Sequence, residues 1–306
     1  MSTLSPSPGG IRAGRRRPLE GVVLLLLGAA GVVSLLVTAG IVFTLFNEGS
    51  GFWREVSVVG FFTGTDWFPV NDQFGVLPLL AASLQIAAIA ALVAIPVGLG
   101  SAIYLSEYAP ERLRRVVKPI LELLAGMPTI VLGYFALESI TPAFQNVGVI
   151  ESGRIYSMLS AGVVVGLLIT PTIASLSEDA LRAVPRSMRE GAFGLGATRR
   201  VVSTRIVLPA ALSGVMASIV LAISRAVGET MAVTLAAGVQ PNLTADPRDP
   251  AQSITAVIVQ VSKGEAVRGS TIYESIFAIG AVLFVVTLLI NLVAVALVRR
   301  YRTIYQ

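Results

Sequence analysis

The sequence of 306 residues contains no cysteine and no histidine, and only 13% of its residues are charged. Without cysteine there is no disulfide framework, thiolate nucleophile, iron–sulfur cluster or Cys-ligated zinc. Without histidine, the commonest general base is missing, which excludes Ser-His-Asp and Cys-His catalysis. Soluble proteins carry about 25% charged residues, whereas this chain is 54% hydrophobic with a mean hydropathy of +0.79. The composition therefore predicts an integral membrane protein.

Six stretches are long and apolar enough to cross a bilayer, which takes roughly 20 residues of α-helix. Four of them lack Asp, Glu, Lys and Arg, and the other two contain a few charges. In chain order the predicted spans are 21–46, 74–106, 119–141, 155–177, 210–238 and 275–298. The predicted fold class is an all-α integral membrane protein with six transmembrane helices.

The distribution of Lys and Arg predicts the orientation of these spans. Residues 1–20 and 299–306 are predicted cytoplasmic tails, 47–73 is an external segment, and 178–209 is a cytoplasmic loop within a domain over 74–298. Of the 23 Lys and Arg residues, 17 lie in the segments assigned to the cytoplasm and five in those assigned outside. Because cytoplasmic loops are enriched in Lys and Arg, both termini are predicted to be cytoplasmic. The pI of about 9.9 then reflects topology in a lipid bilayer rather than nucleic-acid binding.

The external segment is rich in aromatic side chains. They are Phe52, Trp53, Phe61, Phe62, Trp67 and Phe68. Aromatic residues concentrate at membrane interfaces, so an interfacial belt is the favoured interpretation. The alternative is a docking surface for an external partner.

The cytoplasmic loop 178–209 contains the pattern of a short amphipathic helix. Met188, Ala192 and Leu195 recur at helical spacing, which predicts a helix over 185–195 that ends at the following glycines. A basic amphipathic helix can lie on lipid, or it can dock into a partner protein. Periodicity alone leaves both possibilities open.

The same loop resembles the "EAA" loop of type I ABC importer permeases, in which E-A-A is followed by three residues, Gly, nine residues and I-x-L-P. The matching positions here are Glu190, Gly191, Ala192, Gly196, Ile206, Leu208 and Pro209. The spacing fits throughout, and the one departure is Gly191, where the family usually has Ala. The resemblance implies a type I permease fold and a coupling helix that docks into a cytoplasmic ATPase.

The resemblance also implies partners for a chain that is not itself an enzyme. ATP and Mg²⁺ would bind to the partner ATPase, and this chain contains no G-x-x-x-x-G-K-[ST] motif. The implied complex has a homologous second permease, a dimer of ATP-binding subunits and an external binding protein, in the bacterial cytoplasmic (inner) membrane. No cofactor and no metal are expected on this chain.

Four further stretches resemble the permeases of the phosphate-specific transport system. They are Phe74–Pro78, Pro96–Tyr108, Leu121–Pro128 and Gly228–Ala232. Asp66-Trp-Phe-Pro69 before them favours the PstC-type subunit over the PstA-type. The expected function is therefore ATP-driven import of inorganic phosphate. The alternatives are a permease for another oxyanion such as molybdate or sulfate, a secondary transporter, and a membrane enzyme using Glu122, Glu138 or Glu229.

Arg225 and Glu229 are charges inside the fifth predicted span and stand four residues apart, on one face of a continuous helix. An unpaired Arg at the centre of a spanning helix costs about 2.5–3.5 kcal/mol, so both are expected to face the interior of the bundle. A guanidinium can bind two phosphate oxygens at once. The pair is thus a candidate for the substrate pathway, and a structural ion pair between helices is the alternative.

The predicted topology can be tested with single cysteines, because the chain has none of its own. Ser2→Cys and Ser187→Cys should react only with reagents in the cytoplasm, and Ser50→Cys only with reagents outside, as the Lys and Arg bias requires. Labelling of Ser187→Cys by an impermeant reagent in intact cells would overturn the orientation.

Overall fold

The computed structural model describes residues 18–264 and 266–302; the rest of the two predicted tails, 1–17 and 303–306, lies outside the described residues. The helices are α1 (Pro18–Glu55), α2 (Val58–Thr63), α3 (Leu77–Ile103), α4 (Glu111–Ala125), α5 (Thr129–Phe135), α6 (Thr141–Asn146), α7 (Met158–Arg182), α8 (Arg186–Gly194), α9 (Arg199–Val202), α10 (Leu208–Ala210), α11 (Leu212–Val227), α12 (Met231–Ala237), α13 (Ile254–Lys263) and α14 (Thr271–Arg302). Single π-helical turns cover Tyr104–Tyr108, Ala136–Ile140 and Ser203–Val207. The strands β1 (Trp67–Phe68) and β2 (Gln73–Phe74) form a small antiparallel hairpin.

Four of these helical segments are long and apolar enough to cross a membrane singly: Gly21–Glu55, Leu77–Tyr108, Met158–Arg182 and Thr271–Ala296. Two bent pairs, Glu111–Ala125 with Thr129–Asn146 and Arg199–Ala210 with Leu212–Val227, bring the number to six if each pair is one span. The chain is thus an all-helical membrane protein, as the sequence predicts, although two of its spans are not single straight helices.

The third predicted span, 119–141, is interrupted in its middle. Helix α4 ends at Ala125, and the chain turns by 89° before α5 begins at Thr129. Pro128 explains the break, because it has no N–H to continue the hydrogen-bond ladder and disfavours helical backbone in the preceding residue. Hydropathy predicts one continuous span over 119–141, because Gly126, Met127 and Pro128, which separate the two helices, carry no charge.

The fifth predicted span, 210–238, is also interrupted. Helix α11 ends at Val227, and α12 runs only from Met231 to Ala237, where it is followed by Gly238 with a φ of +96°. The residues between the two helices, 228–230, are not helical. The assumption of one continuous helix from 210 to 238 is therefore wrong, with consequences for Arg225 and Glu229 described below.

Helices α3 and α7 pack against each other along much of their length because glycines let their backbones approach. A Cβ on Gly162 of α7 would lie 2.6 Å from Cβ of Ile89, and one on Gly166 would lie 2.9 Å from Cβ of Val93. A Cβ on Gly98 of α3 would lie 2.8 Å from Cβ of Ile173. Membrane helices associate largely through such close packing, since lipid is as apolar as their side chains. This pair forms the centre of the bundle.

Three of the six aromatic residues in the predicted external segment are buried in a core instead of forming an interfacial belt. Phe52 and Phe61 are fully buried and Trp67 is 3% exposed, and Phe74 joins them. Their rings meet edge to face, with centroids 5.5 Å apart for Phe52–Phe61 and 5.3 Å for Phe52–Phe74, the geometry that ring quadrupoles favour. The belt interpretation is wrong for the three buried residues. The external segment folds back onto the ends of α13 and α14, where Ile254 and Ile279 complete the cluster.

The loop between α12 and α13, which is predicted to be external, covers the N-terminal end of α7. The Met158 N–H donates to the carbonyl of Asp249 at 3.1 Å, and the Leu159 N–H donates to that of Pro247 at 2.6 Å. Hydrogen bonds from Arg154 and then Thr244 hold the pKa of the Asp249 carboxyl below its ordinary value of 3.8. A lowered carboxyl pKa stabilises the fold above that ordinary value, and the contribution is lost as the pH falls through the lowered one. The loop contact should therefore persist at mildly acidic pH.

Two glycines in one turn of α3 provide a matched test of the α3–α7 packing. Gly98→Ala should lower the free energy of unfolding by about 1–3 kcal/mol, because the added methyl overlaps Ile173. Gly100 has no neighbour within 4 Å of an added Cβ, so Gly100→Ala should be neutral or stabilising by up to about 1 kcal/mol. Thermal unfolding of the two purified variants makes the comparison, and equal melting temperatures would contradict the packing.

Candidate coupling surface and substrate pathway

The cytoplasmic helix predicted from the sequence is α8. It begins after Pro185 and runs from Arg186 to Gly194. Its last turn is closed by the N–H of Gly196, which donates to the carbonyl of Phe193 at 2.9 Å, and Gly196 has a φ of +80°. Glycine adopts this left-handed conformation without the steric cost that a side chain brings. The glycine of the sequence motif is therefore the residue that ends the helix and turns the chain toward α9.

Helix α8 presents apolar side chains to the outside of the chain. Met188 is 44% exposed, Phe193 is 45% exposed, and Leu195, just past the helix, is 91% exposed. Ala192 alone of the three predicted apolar positions is buried, and it packs on the chain's own core. Exposed apolar side chains in a segment predicted to lie outside the membrane make α8 a candidate surface for binding another molecule.

The motif residues divide into two groups in the structure. Glu190, Gly191 and Gly196 are exposed on or beside α8. Ile206, in the third π-helical turn, and Leu208, in α10, are half-buried and pack with Ala192 on a core beneath the helix. That core also contains Leu181, Val184, Val202, Val207 and Ala211. Pro209 lies beside Leu208 in α10, at the entrance to the bent fifth span. One group is thus exposed on the surface of the chain, and the other fixes α8 to the bundle.

Arg189, which the sequence pattern did not single out, attaches α8 to two spans. Its guanidinium donates to Glu107 Oε1 at 3.0 Å, to the carbonyl of Leu181 at 2.8 Å and to that of Val184 at 2.6 Å. Glu107 lies in the π-helical turn that ends α3, and the two carbonyls lie at the end of α7. Arg189 and Glu107 are 82 positions apart in the chain. Sequence periodicity reports only on neighbours within one helix, so it could not predict this contact.

A second ionic cluster attaches α4 to the same end of α7. Glu178 is 1% exposed, and its carboxylate accepts hydrogen bonds from Arg114 Nε at 2.6 Å and Lys118 Nζ at 3.0 Å. A buried carboxylate is tolerated when it is paired in this way. Lys118 therefore pairs with α7 rather than with Glu122, which is exposed, as is Glu138.

Arg225 and Glu229 do not form the pair that their spacing predicts. Arg225 lies in the last turn of α11, and Glu229 lies beyond the end of that helix. Among the described residues no ion pair joins the two: Arg225 Nη2 donates to the carbonyl of Ala125 at 3.0 Å, and Glu229 Oε1 accepts from the N–H of Ala232 at 3.3 Å. Four-residue spacing places side chains together only on an unbroken helix.

The environments of these two residues differ. Arg225 is exposed on the surface of the chain, where its guanidinium lies at the carbonyl end of α4, a position that favours a cation. A second, longer contact joins Arg225 Nη1 to Thr172 Oγ1 of α7 at 3.5 Å. Glu229 is 9% exposed, and its backbone carbonyl accepts from Thr255 Oγ1 at 2.9 Å. Arg225 is thus open to a ligand or a second subunit, whereas Glu229 belongs to the buried junction of α12 and α13.

This helical membrane fold with an exposed cytoplasmic helix matches a known class of protein. The chain belongs to the family described as "Binding-protein-dependent transport system inner membrane component", which matches residues 94–303. Members are permeases of ABC transporters, and membership implies a multi-pass protein of the inner membrane that works with a partner permease, an ATPase and a binding protein.

Curated relatives cover most of the chain. A phosphate transport system permease protein PstC of Mesorhizobium japonicum is 34% identical over 285 residues, 87% of this chain and 86% of that protein. A PstC of Xylella fastidiosa is 33% identical over 96% of this chain and 95% of its own length. The probable ABC transporter permease protein YqgH of Bacillus subtilis is 33% identical over 83% of this chain and 84% of that protein.

Solved structures share the fold at lower identity. A bacterial alginate ABC transporter, solved in complex with a periplasmic protein bound to alginate pentasaccharide, has a chain that superposes with a TM-score of 0.63 at 16% identity. The match covers 92% of this chain and 95% of that one. An inward-facing MetNI methionine transporter gives a TM-score of 0.58 at 20% identity, over 73% and 96% of the two chains. The type I ABC permease fold is therefore confirmed.

The conformational role of Gly196, which follows α8, can be tested with Gly191 of α8 as the control. Gly196→Ala should uncouple ATP hydrolysis from transport in the assembled importer, because the positive φ costs a side chain about 1–2 kcal/mol and displaces Leu195. Gly191 has no neighbour within 4 Å of an added Cβ, so Gly191→Ala should be harmless. Transport and ATP hydrolysis are measured on the same vesicles. Equal coupling in the two variants would contradict the role assigned to the turn.

Proposed function

We propose that this chain is a permease subunit of an ATP-driven importer of inorganic phosphate. The observation that carries the proposal is the similarity to PstC proteins of several bacteria at 30–34% identity over most of the chain. The exposed coupling surface of α8 and the exposed guanidinium of Arg225 are both consistent with it. Import of another oxyanion, such as molybdate or sulfate, is the second candidate.

We further propose the composition of the complex. A homologous PstA-type permease would complete the pore, since Arg225 and the exposed apolar surfaces of α4 and α5 are open on this chain alone. Two PstB-type subunits would bind ATP and Mg²⁺ and receive α8, and a PstS-type protein would deliver phosphate from outside. Both termini would be cytoplasmic, in agreement with the bias of Lys and Arg. The chain would bind no cofactor of its own and catalyse no covalent step.

In this proposal the surface of α8 formed by Met188, Phe193 and Leu195 enters the ATPase dimer. The rigid attachment of α8 to α3 and α7 would convert closure of the ATPases into a movement of the spans. Alternating access needs such a rigid element, because a ligand-driven change must act on structures with discrete arrangements. The core beneath α8, which contains Ile206 and Leu208, would keep the helix from tilting freely during that movement.

Arg225 is proposed to contact the anion during transport. An oxyanion that leaves water needs fixed positive charge, and a guanidinium offers two donors in one plane. The contact of Arg225 with the carbonyl of Ala125 holds the side chain in place without neutralising its charge. Substrate would therefore meet a positioned cation rather than one locked in an ion pair.

The proposed substrate can be tested with the complete importer in proteoliposomes. External binding protein and internal ATP should drive uptake of labelled phosphate, and excess unlabelled phosphate should compete far more strongly than molybdate or sulfate. Uptake of labelled molybdate or sulfate in preference to phosphate would replace the proposed substrate with that oxyanion.

The role of Arg225 can be separated from a purely structural one. Arg225→Gln should lower phosphate uptake per assembled complex by roughly 100-fold. The contact between Arg225 and the anion would be buried once a second permease covers this surface, and losing one partner of a buried charge contact costs about 2–5 kcal/mol. Arg225→Lys keeps the charge and one donor toward Ala125, but not the planar fork, so it should restore only part of the activity.

Uptake is measured alongside ATP hydrolysis and complex yield for both Arg225 variants. Full recovery in Arg225→Lys would show that charge and a single hydrogen bond suffice. Loss of the assembled complex in Arg225→Gln, with normal uptake by the remainder, would make Arg225 a structural residue only.

A further inference from the structure

The contacts of Arg189 form a junction between α8 and two spans. The residue lies in the fourth position of α8, and its side chain is only 16% exposed, although the helix itself is on the surface. Its Nη2 donates to Glu107 at the end of α3 and to the carbonyl of Leu181 in the last turn of α7, and its Nη1 donates to the carbonyl of Val184, just beyond that helix. A cation at the C-terminal end of a helix is stabilising because the last carbonyls point toward it.

Glu107 has few contacts besides its ion pair with Arg189. Its side chain is 8% exposed, and besides Arg189 it accepts a hydrogen bond from Ser106 Oγ at 3.0 Å. It lies within the π-helical turn Tyr104–Tyr108, where α3 widens before it ends. π-Helical turns are rare in proteins, and those that occur are often found at functional sites. Removing either charge would leave the other poorly solvated and unpaired.

Side chains join α8 to α3, whereas the main chain joins it to α7 and α9. Residues 183–185 link α7 to α8, and α8 also packs on α9 and on the π-helical turn Ser203–Val207. The apolar core beneath α8 includes Ala102, near the end of α3, together with Ala192 of α8. The ion pair between Arg189 and Glu107 adds a directed polar contact from α8 to the π-helical turn that follows α3.

We propose that Arg189 and Glu107 are positioning residues that transmit movement of α8 to α3 and α7 together. Because these two spans are closely packed through Gly98, Gly162 and Gly166, a force applied at their shared cytoplasmic end moves them as a unit. The inference rests on the proposed function, since it assigns a coupling role within the same importer. It adds a specific residue pair outside the residues of the loop motif.

The first experiment measures phosphate transported per ATP hydrolysed in the reconstituted importer. Arg189→Gln and Glu107→Gln should each lower this ratio by about fivefold or more, the usual scale of energetic coupling between sites. The double variant should be no worse than either single one, because residues that act through one contact are not additive. Arg189→Lys should give an intermediate ratio, since an ammonium lacks the planar set of donors that lets Arg189 bind one carboxylate and two carbonyls at once.

The control is Arg112→Gln. Arg112 is an exposed arginine of α4 without an ion pair among the described residues.

A structural role predicts a different result. If the pair only stabilises the fold, transport and ATP hydrolysis should fall together with the yield of complex, and the ratio should stay unchanged. If Glu107→Gln fails to assemble, the ratio is measured in Glu107→Asp, which keeps the charge. An unchanged ratio in the variants that assemble, or multiplicative effects in the double variant, would overturn the proposal.

The second experiment does not depend on the substrate. Tyr104, at the start of the π-helical turn, is 50% exposed, and Tyr104→Cys introduces a unique thiol into a cysteine-free chain. Binding of a non-hydrolysable ATP analogue to the assembled complex should change its rate of maleimide labelling, and Arg189→Gln should abolish that change. A nucleotide effect that persists in Arg189→Gln would overturn the inference. Failure of phosphate uptake by the wild-type importer, with this nucleotide effect intact, would instead count against the proposed substrate.

Discussion

The close packing of α7 against α3 is the constraint on which the rest of the structure depends. Gly162 and Gly166 bring the two backbones together, and the hydrogen-bonded pair Ser177–Ser218, with oxygens 2.6 Å apart, joins α7 to α11. In a membrane, where apolar surfaces gain little from leaving lipid, such contacts supply much of the cohesion. Three further elements attach to the two ends of α7: the loop between α12 and α13 at its beginning, and α4 and α8 at its end.

The C-terminal end of α7, which is predicted to be cytoplasmic, thus carries two different kinds of attachment. Glu178 holds α4 through Arg114 and Lys118, and the terminal carbonyls hold α8 through Arg189. Both attachments use cations at a helix C-terminus, where the backbone dipole favours positive charge. A surface helix that is fixed by such bonds behaves as part of the bundle, which is what transmission of movement from an ATPase requires.

The sequence predicts the parts of the fold that depend on local pattern. Residues 186–194 form the expected amphipathic helix, Gly196 has the expected conformation, and six apolar stretches account for the spans. The breaks after Ala125 and Val227 were missed because hydropathy does not register a change of direction. Pro128 was a visible signal for the first break, whereas Gly228 was only a weak one for the second.

The long-range contacts could not be predicted in this way. The burial of Phe52 and Phe61, the replacement of the Arg225–Glu229 pair by separate partners, and the junction at Arg189 all depend on how distant segments meet. The spacing of charged residues predicts which of them share a face of a helix, but it does not predict whether that helix is continuous. The proposal that α8 is a docking surface rests on its exposed side chains and on the motif spacing together.

The most direct test of this account is site-specific photocrosslinking from α8 in the intact complex. A photoreactive residue at Leu195, which is 91% exposed, should form an adduct with the ATPase subunit. The same photoreactive residue at Val267, which is 74% exposed in the predicted external loop before α14, should form none. Adducts from Leu195 that contain lipid or no ATPase, in a complex that transports normally, would contradict the assignment of α8 as the coupling surface.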